Sequence, residues 1–100
     1  MRIALVCAAA IVAAAPLAVS AQERNAGRDL AASCAMCHGT EGRGAGGYEP
    51  LAGKAKDELV RKLTEFRSGV RPATVMHQIS KGYTDQQVQL IAEYFSAQRK

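Results

Sequence analysis

Apolar positions along the chain fall into two regimes. From Ile3 to Val19 they form a nearly unbroken run of Ala, Val, Leu and Ile, whereas beyond Gln22 they return every three or four residues. That period belongs to helices with one buried face, and no stretch alternates as a half-buried strand would. Four helices are expected. The first runs from about Asn25, read as its N-cap, to Cys34 or Cys37, with Leu30 as its apolar anchor. The second spans about Lys56 to Ser68, with Leu59, Val60, Leu63 and Phe66 in one stripe and Gly69 as its stop. A short one, Ala73 to Ser80, follows Pro72 and ends at Lys81-Gly82. The last runs from Asp85 to about Gln98 behind a Thr84–Gln87 capping box, with Val88, Ile91, Ala92 and Phe95 facing inward. Between the first two helices, His38 to Gly53 carries six of the nine glycines and Pro50, which excludes regular structure there. The expected fold class is all-α, and Gly27 is expected to meet Tyr94 where the first and last helices cross.

The leading apolar run has the layout of an export signal. Arg2 precedes it, Val19-Ser20-Ala21 closes it with small residues, and polar Gln22-Glu23-Arg24 follows. Residues 1–21 are therefore expected to be a signal peptide cleaved after Ala21, and residues 22–100 the working domain. An uncleaved membrane anchor is the competing reading, because the run approaches the length of a span. Cleavage leaves no membrane span and places the domain in the periplasm. Cys7 lies inside the leader and receives no role.

Losing Arg2 takes the formal net charge from +4 to +3. Basic and acidic residues are interleaved, and no aromatic–basic platform appears, so nucleic acid is not an expected partner. A domain this small buries little core and usually needs a staple, metal or cofactor. With aromatic residues at only 5% and no tryptophan, an apolar cofactor would fill the gap.

Cys34-Ala35-Met36-Cys37-His38 supplies the candidate. The spacing C-x-x-C-H is the attachment site of a c-type haem. Thiols three residues apart on a helical turn can reach the two haem vinyl groups, and the next residue, His38, then lies beneath the iron as its axial ligand. A thioredoxin-like dithiol would need a strand-rich setting. A zinc site would have to use Cys34, Cys37, His38 and His77, with adjacent residues on one metal.

The second axial ligand must come from later in the chain. Met36, trapped between the two cysteines, cannot cross to the other haem face. Met76, in the short Pro-led segment, is the expected ligand. Its thioether would favour ferrous iron and raise the potential. His77 is the alternative, and an ordinary core methionine is the bland reading of Met76. Pro50 is placed to offer its carbonyl to the His38 ring N–H, an arrangement that fixes ligating histidines; a plain turn proline would need no such partner.

Taken together, Gly27, Cys34 to Thr40, Pro50-Leu51-Ala52-Gly53, the Met-bearing segment and the aromatic last helix resemble the class I cytochromes c, nearest the c4/c553 branch. The resemblance covers the mature chain. It implies a helical fold around one haem, His38 and Met76 as axial ligands, thioether anchors at Cys34 and Cys37, and Pro50 as the carbonyl partner of His38. The stretches Phe66 to Met76 and Ile79 to Asp85 further resemble the cytochrome subunits of flavocytochrome c sulfide dehydrogenases. That implies a flavoprotein partner that oxidises sulfide and hands electrons on to the haem.

Three functions are in play: an electron-accepting subunit docked on such a dehydrogenase, a free soluble shuttle between respiratory or photosynthetic complexes, and an open-iron enzyme or sensor. The last requires Met76 and His77 both off the iron and lacks an acid–base pair, so an electron carrier, not an enzyme, is expected. A docked subunit would show an apolar patch at the haem edge. A shuttle would show a charged rim, for which Lys54, Lys56, Arg61, Lys62, Arg67, Arg71 and Lys81 are candidates, with the solvated faces of helices as their plainer reading.

Overall fold

The computed structural model describes residues 8–11 and 21–100. Most of the expected leader therefore lies outside the described residues. Among the described residues there are five α-helices in order: α1 (Ala21–Ala31), α2 (Ala35–His38), α3 (Lys56–Ser68), α4 (Met76–Ser80) and α5 (Asp85–Ser96), with 3-10 turns at Ala32–Cys34 and Thr40–Gly42. Among the described residues there is no strand, only an isolated bridge between Ala45 and Tyr48.

Where local chemistry is strong, helix limits follow it. At the start of α5 the Thr84 hydroxyl accepts from the Gln87 N–H at 3.1 Å, and the Gln87 side chain accepts from the Thr84 N–H at 2.9 Å. Gly69 closes α3 in the left-handed region at φ +81°, where its N–H bonds the Phe66 carbonyl. Two limits differ from expectation. Asn25 lies inside α1 rather than capping it, because Ala21 to Arg24 already continue the helix upstream. The α1 stretch also yields to a tighter turn at Ala32 before α2 resumes, so the cysteine segment is two short pieces rather than the end of one helix. Helix α4 begins only at Met76, since Val75 holds a non-helical φ of −137°.

Helices α1 and α5 cross at Gly27. A Cβ placed there would stand 2.8 Å from the Leu90 carbonyl oxygen and 3.5 Å from the Tyr94 Cβ, so the glycine admits backbone as well as the base of the aromatic residue. Helix α3 lies against α5 and α4. The buried cluster is Ala31, Leu59, Ile91, Ala92 and Phe95. Val88, Ile91, Ala92 and Phe95 are all buried as the α5 pattern predicts, whereas of the α3 stripe only Leu59 is fully buried. Phe95 closes the base of the glycine-rich loop. A Cβ on Gly42, at φ +75°, would meet its ring at 2.6 Å, and its carbonyl accepts from the Gly53 N–H at 2.9 Å.

These two glycines yield a ranking. Gly27→Ala gains up to about 1 kcal/mol of helix propensity and loses about 1–3 to overpacking, a net loss on the order of 1 kcal/mol. Gly42→Ala combines a left-handed backbone penalty with a clash against a fully buried ring, roughly 2–5 kcal/mol. Thermal unfolding of both variants checks the order, and a Gly42→Ala protein as stable as Gly27→Ala would contradict this packing.

Candidate functional site

The unfilled α3 stripe points to the reason it is not buried. Leu59, Leu63 and Phe66 line a cavity of about 480 Å³ that also takes in Cys34, Cys37, His38 and Met76. Its walls are mostly apolar, and its size is that of a site for a substantial ligand. Three helical pieces thus bring the motif and the distant methionine to one space. Cys34 ends a 3-10 turn, Cys37 and His38 sit on α2, and Met76 opens α4.

Both thiols are free rather than joined. Burial pushes the Cys34 thiol above its ordinary pKa, outweighing the hydrogen bond from Ser33. A dithiol redox site has the opposite character, with a lowered thiol. Among the described residues no three His, Cys, Asp or Glu side chains gather as a metal cluster, so the four candidate zinc ligands do not converge.

The His38 ring is fixed by its Nδ1–H, which donates to the Glu49 carbonyl at 2.6 Å. A carbonyl can only accept, so Nδ1 must carry the proton, and Nε2 keeps its lone pair for a metal. Tyr48 adds an edge-to-face contact at 5.9 Å. The partner carbonyl is thus Glu49 and not Pro50, a correction of one residue. Proline forces the residue before it toward extended backbone, and its own ring packs over Gly44, with Cγ 3.1 Å from where a Cβ would sit. Pro50 does not line the cavity and acts one residue removed, by shaping the turn.

Met76 is half-buried and lines the cavity, whereas its neighbour His77 does not. The His77 Nδ1 is buried without a hydrogen-bond partner. Met36 is 87% exposed and lies off the cavity. A free Cys pair, a histidine of fixed tautomer and a thioether sharing one apolar cavity fit a covalently held haem.

Glu49 was invisible to motif reading. Its carboxylate accepts from Lys54 and from Lys62, the latter at 2.6 Å. Those hydrogen bonds hold its pKa down to about 2, and the Lys62 ammonium is raised in turn. The only signal in the chain is Glu-Pro itself, which marks an extended residue but says nothing of which lysines reach it.

The lowered pKa has a definite sign. Glu49 stabilises fully above its unfolded value of 4.5, and that contribution is lost as the pH falls through about 2. About half of the side chain is exposed, so screening leaves on the order of 1 kcal/mol. Wild type should resist urea better than Glu49→Gln near neutrality, with the gap closing as the pH drops from about 4.5 to about 2. A gap that persists at the acid end would contradict the assignment.

Comparison with known proteins agrees with the geometry. The family model described as Cytochrome c matches residues 25–98. The cytochrome subunit of sulfide dehydrogenase from Chlorobaculum tepidum is 40% identical over 82 residues, covering 82% of this chain and 74% of that protein. The thiosulfate dehydrogenase electron acceptor of Stutzerimonas stutzeri is 39% identical over 67 residues, 63% of this chain but only 31% of its own. Cytochrome c4 of Acidithiobacillus ferrooxidans, a solved structure, superposes with a TM-score of 0.68 at 32% identity, covering 77% of this chain and 50% of that one. The helical wrap is thus the class I cytochrome c fold, and the chain belongs to the cytochrome c family, as an electron carrier with a c-type haem and no catalysis of its own.

Proposed function

We propose that this chain is a periplasmic monohaem cytochrome that serves as the electron-accepting subunit of a flavoprotein dehydrogenase acting on sulfide. In this reading the leader is removed after Ala21, Cys34 and Cys37 anchor a single haem, and His38 and Met76 are its axial ligands. The haem supplies a one-electron couple at the iron. The chain's residues tune and expose it. The Glu49 carbonyl orients His38 and raises its basicity, the Met76 thioether favours the ferrous form, and the apolar walls limit water.

The surface around the cavity carries the choice of a docked subunit over a free shuttle. Of the seven cations offered as a charged rim, Lys54 and Lys62 are paired with Glu49, Lys56 with Glu93, Arg61 and Arg71 with Glu65, and Arg67 with Asp85. Lys81 is the only one of them without such a partner among the described residues. Internal pairing blunts long-range steering. Val70, by contrast, is an apolar residue outside the cavity lining and is 76% exposed. An exposed apolar side chain of this kind suits a lasting contact. The likeness to a sulfide dehydrogenase subunit over most of both chains supports the partner's chemistry.

Two experiments test this. Met76→Ala should retain covalent haem but lose the long-wavelength ferric band of a thioether ligand. Its potential should fall on the order of 100 mV, within the about 0.8 V that axial ligation spans. An unchanged spectrum and potential would remove Met76 from the iron. For the partner, a C-terminally tagged chain purified gently from the periplasm of its own host should bring a flavin-bearing protein, and sulfide should reduce both chromophores. A haem protein that elutes alone and ignores sulfide would return the chain to the free-shuttle reading.

A further inference from the structure

The Glu49 residue meets the site twice, once through its carbonyl and once through its carboxylate. We propose that the Glu49 carboxylate, gripped by Lys54 and Lys62, is the positioning device for the axial histidine, tying the orientation of the His38 ring to helix α3. The inference rests on His38 serving as an axial ligand.

The loop's backbone explains why a side-chain tether is needed. Its ends are fixed. The Gly44 N–H bonds the His38 carbonyl at 2.6 Å, the Leu51 and Ala52 N–H groups share the Gly42 carbonyl at 2.7 and 3.0 Å, and the Gly53 N–H reaches Phe95. Between these anchors, the Tyr48 N–H bonds only the Ala45 carbonyl, a contact local to the same tight turn. Gly44, Gly46 and Gly47 all adopt positive φ, so the turn carries a high share of permissive backbone. The Glu49 carbonyl, which fixes the ring, hangs from this permissive stretch. Its carboxylate supplies the missing link to a rigid element, because Lys62 belongs to the middle of α3.

Lys62 is itself held. Its ammonium also meets Glu58, one helical turn earlier, at 3.3 Å, and its side chain is only 18% exposed. Lys54 closes the other side of the same carboxylate oxygen. Position therefore passes from α3 through Lys62 to the Glu49 side chain, and through the same residue's carbonyl to the His38 Nδ1–H. Partners of this kind behind a ligating histidine set its ring orientation and basicity. The half-exposed carboxylate adds only modestly to global stability, so the consequence that marks a positioning role is local.

The test follows the His38 ring proton in the haem-loaded, ferrous, isotope-labelled protein by NMR. Glu49→Gln should speed exchange of the Nδ1–H with solvent by about fivefold, the factor expected when one such pair no longer resists local opening. Glu58→Gln removes an equal charge from the same cluster but leaves Glu49 held by both lysines, and should change exchange by less than about twofold. Lys62→Met should reproduce the Glu49→Gln effect and serves if that variant loads haem poorly. Exchange in Glu49→Gln or Lys62→Met that matches Glu58→Gln, with His38 signals still shifted by the haem ring current, overturns the positioning role and leaves the ligand reading intact. His38 signals without that ring-current shift in wild type overturn both.

Discussion

An apolar cavity standing where a small domain would keep its core is the constraint on which this structure depends. The fully buried apolar residues are few and mostly modest in size, with Phe95 the largest. Beside them lies a space of about 480 Å³. Its apolar walls, Leu59, Leu63 and Phe66 among them, are the surface that a flat apolar group seated there would cover. Filling the space with such a group therefore belongs to the folding of the chain as much as to its redox chemistry. This accounts for an α3 stripe that is only partly buried against protein.

How much of this was legible in the sequence depends on the range of the forces involved. The end of α3 and the start of α5 are set by groups within a few residues: Gly69 in its left-handed cap, and Thr84 and Gln87 bonding each other. Cys34, Cys37 and His38 are equally local, since one turn of chain brings them together. Asn25 misled because cap preference is a weak local bias, and a helix already running through Ala21 to Arg24 overrides it. The Pro50 assignment failed by one residue for a related reason. Spacing locates a turn, but which carbonyl faces the imidazole depends on backbone angles that only the folded loop settles. The lysines on Glu49 lie five and thirteen residues away, and no motif connects them.

The charges tell a similar story. Read as a string, seven of the nine cations after Gly53 could be a docking rim or merely the solvated faces of helices. In the fold, six of them face carboxylates of the same chain. Sequence supplies the count and sign of charges, while pairing depends on which helix faces meet. A field that would have steered a mobile partner is directed instead to internal order.

Helix α3 draws these strands together. Its apolar stripe, Leu59, Leu63 and Phe66, forms one wall of the cavity. Its polar flanks reach out to the loop behind His38 and to the segment before Met76. Toward the His38 side, Lys62 holds Glu49. Toward the Met76 side, Glu65 accepts from Arg71 through Nε at 2.9 Å and Nη2 at 2.7 Å, just before Pro72 and the short helix that begins at Met76. Arg71 also lies 5.7 Å from the Phe66 ring, a cation–π contact that fixes it further. Arg67 bonds the Tyr83 carbonyl at 3.3 Å and Asp85 at 2.8 Å, securing the turn between α4 and α5. Each pair alone is a modest surface interaction, but all originate from one thirteen-residue helix. A single rigid element thus sets the positions of the Glu49 loop behind His38 and of the methionine-bearing segment together. In an electron carrier that is the useful arrangement, because two side chains held to one frame, as the proposed haem ligands would be, would need little rearrangement as the electron came and went.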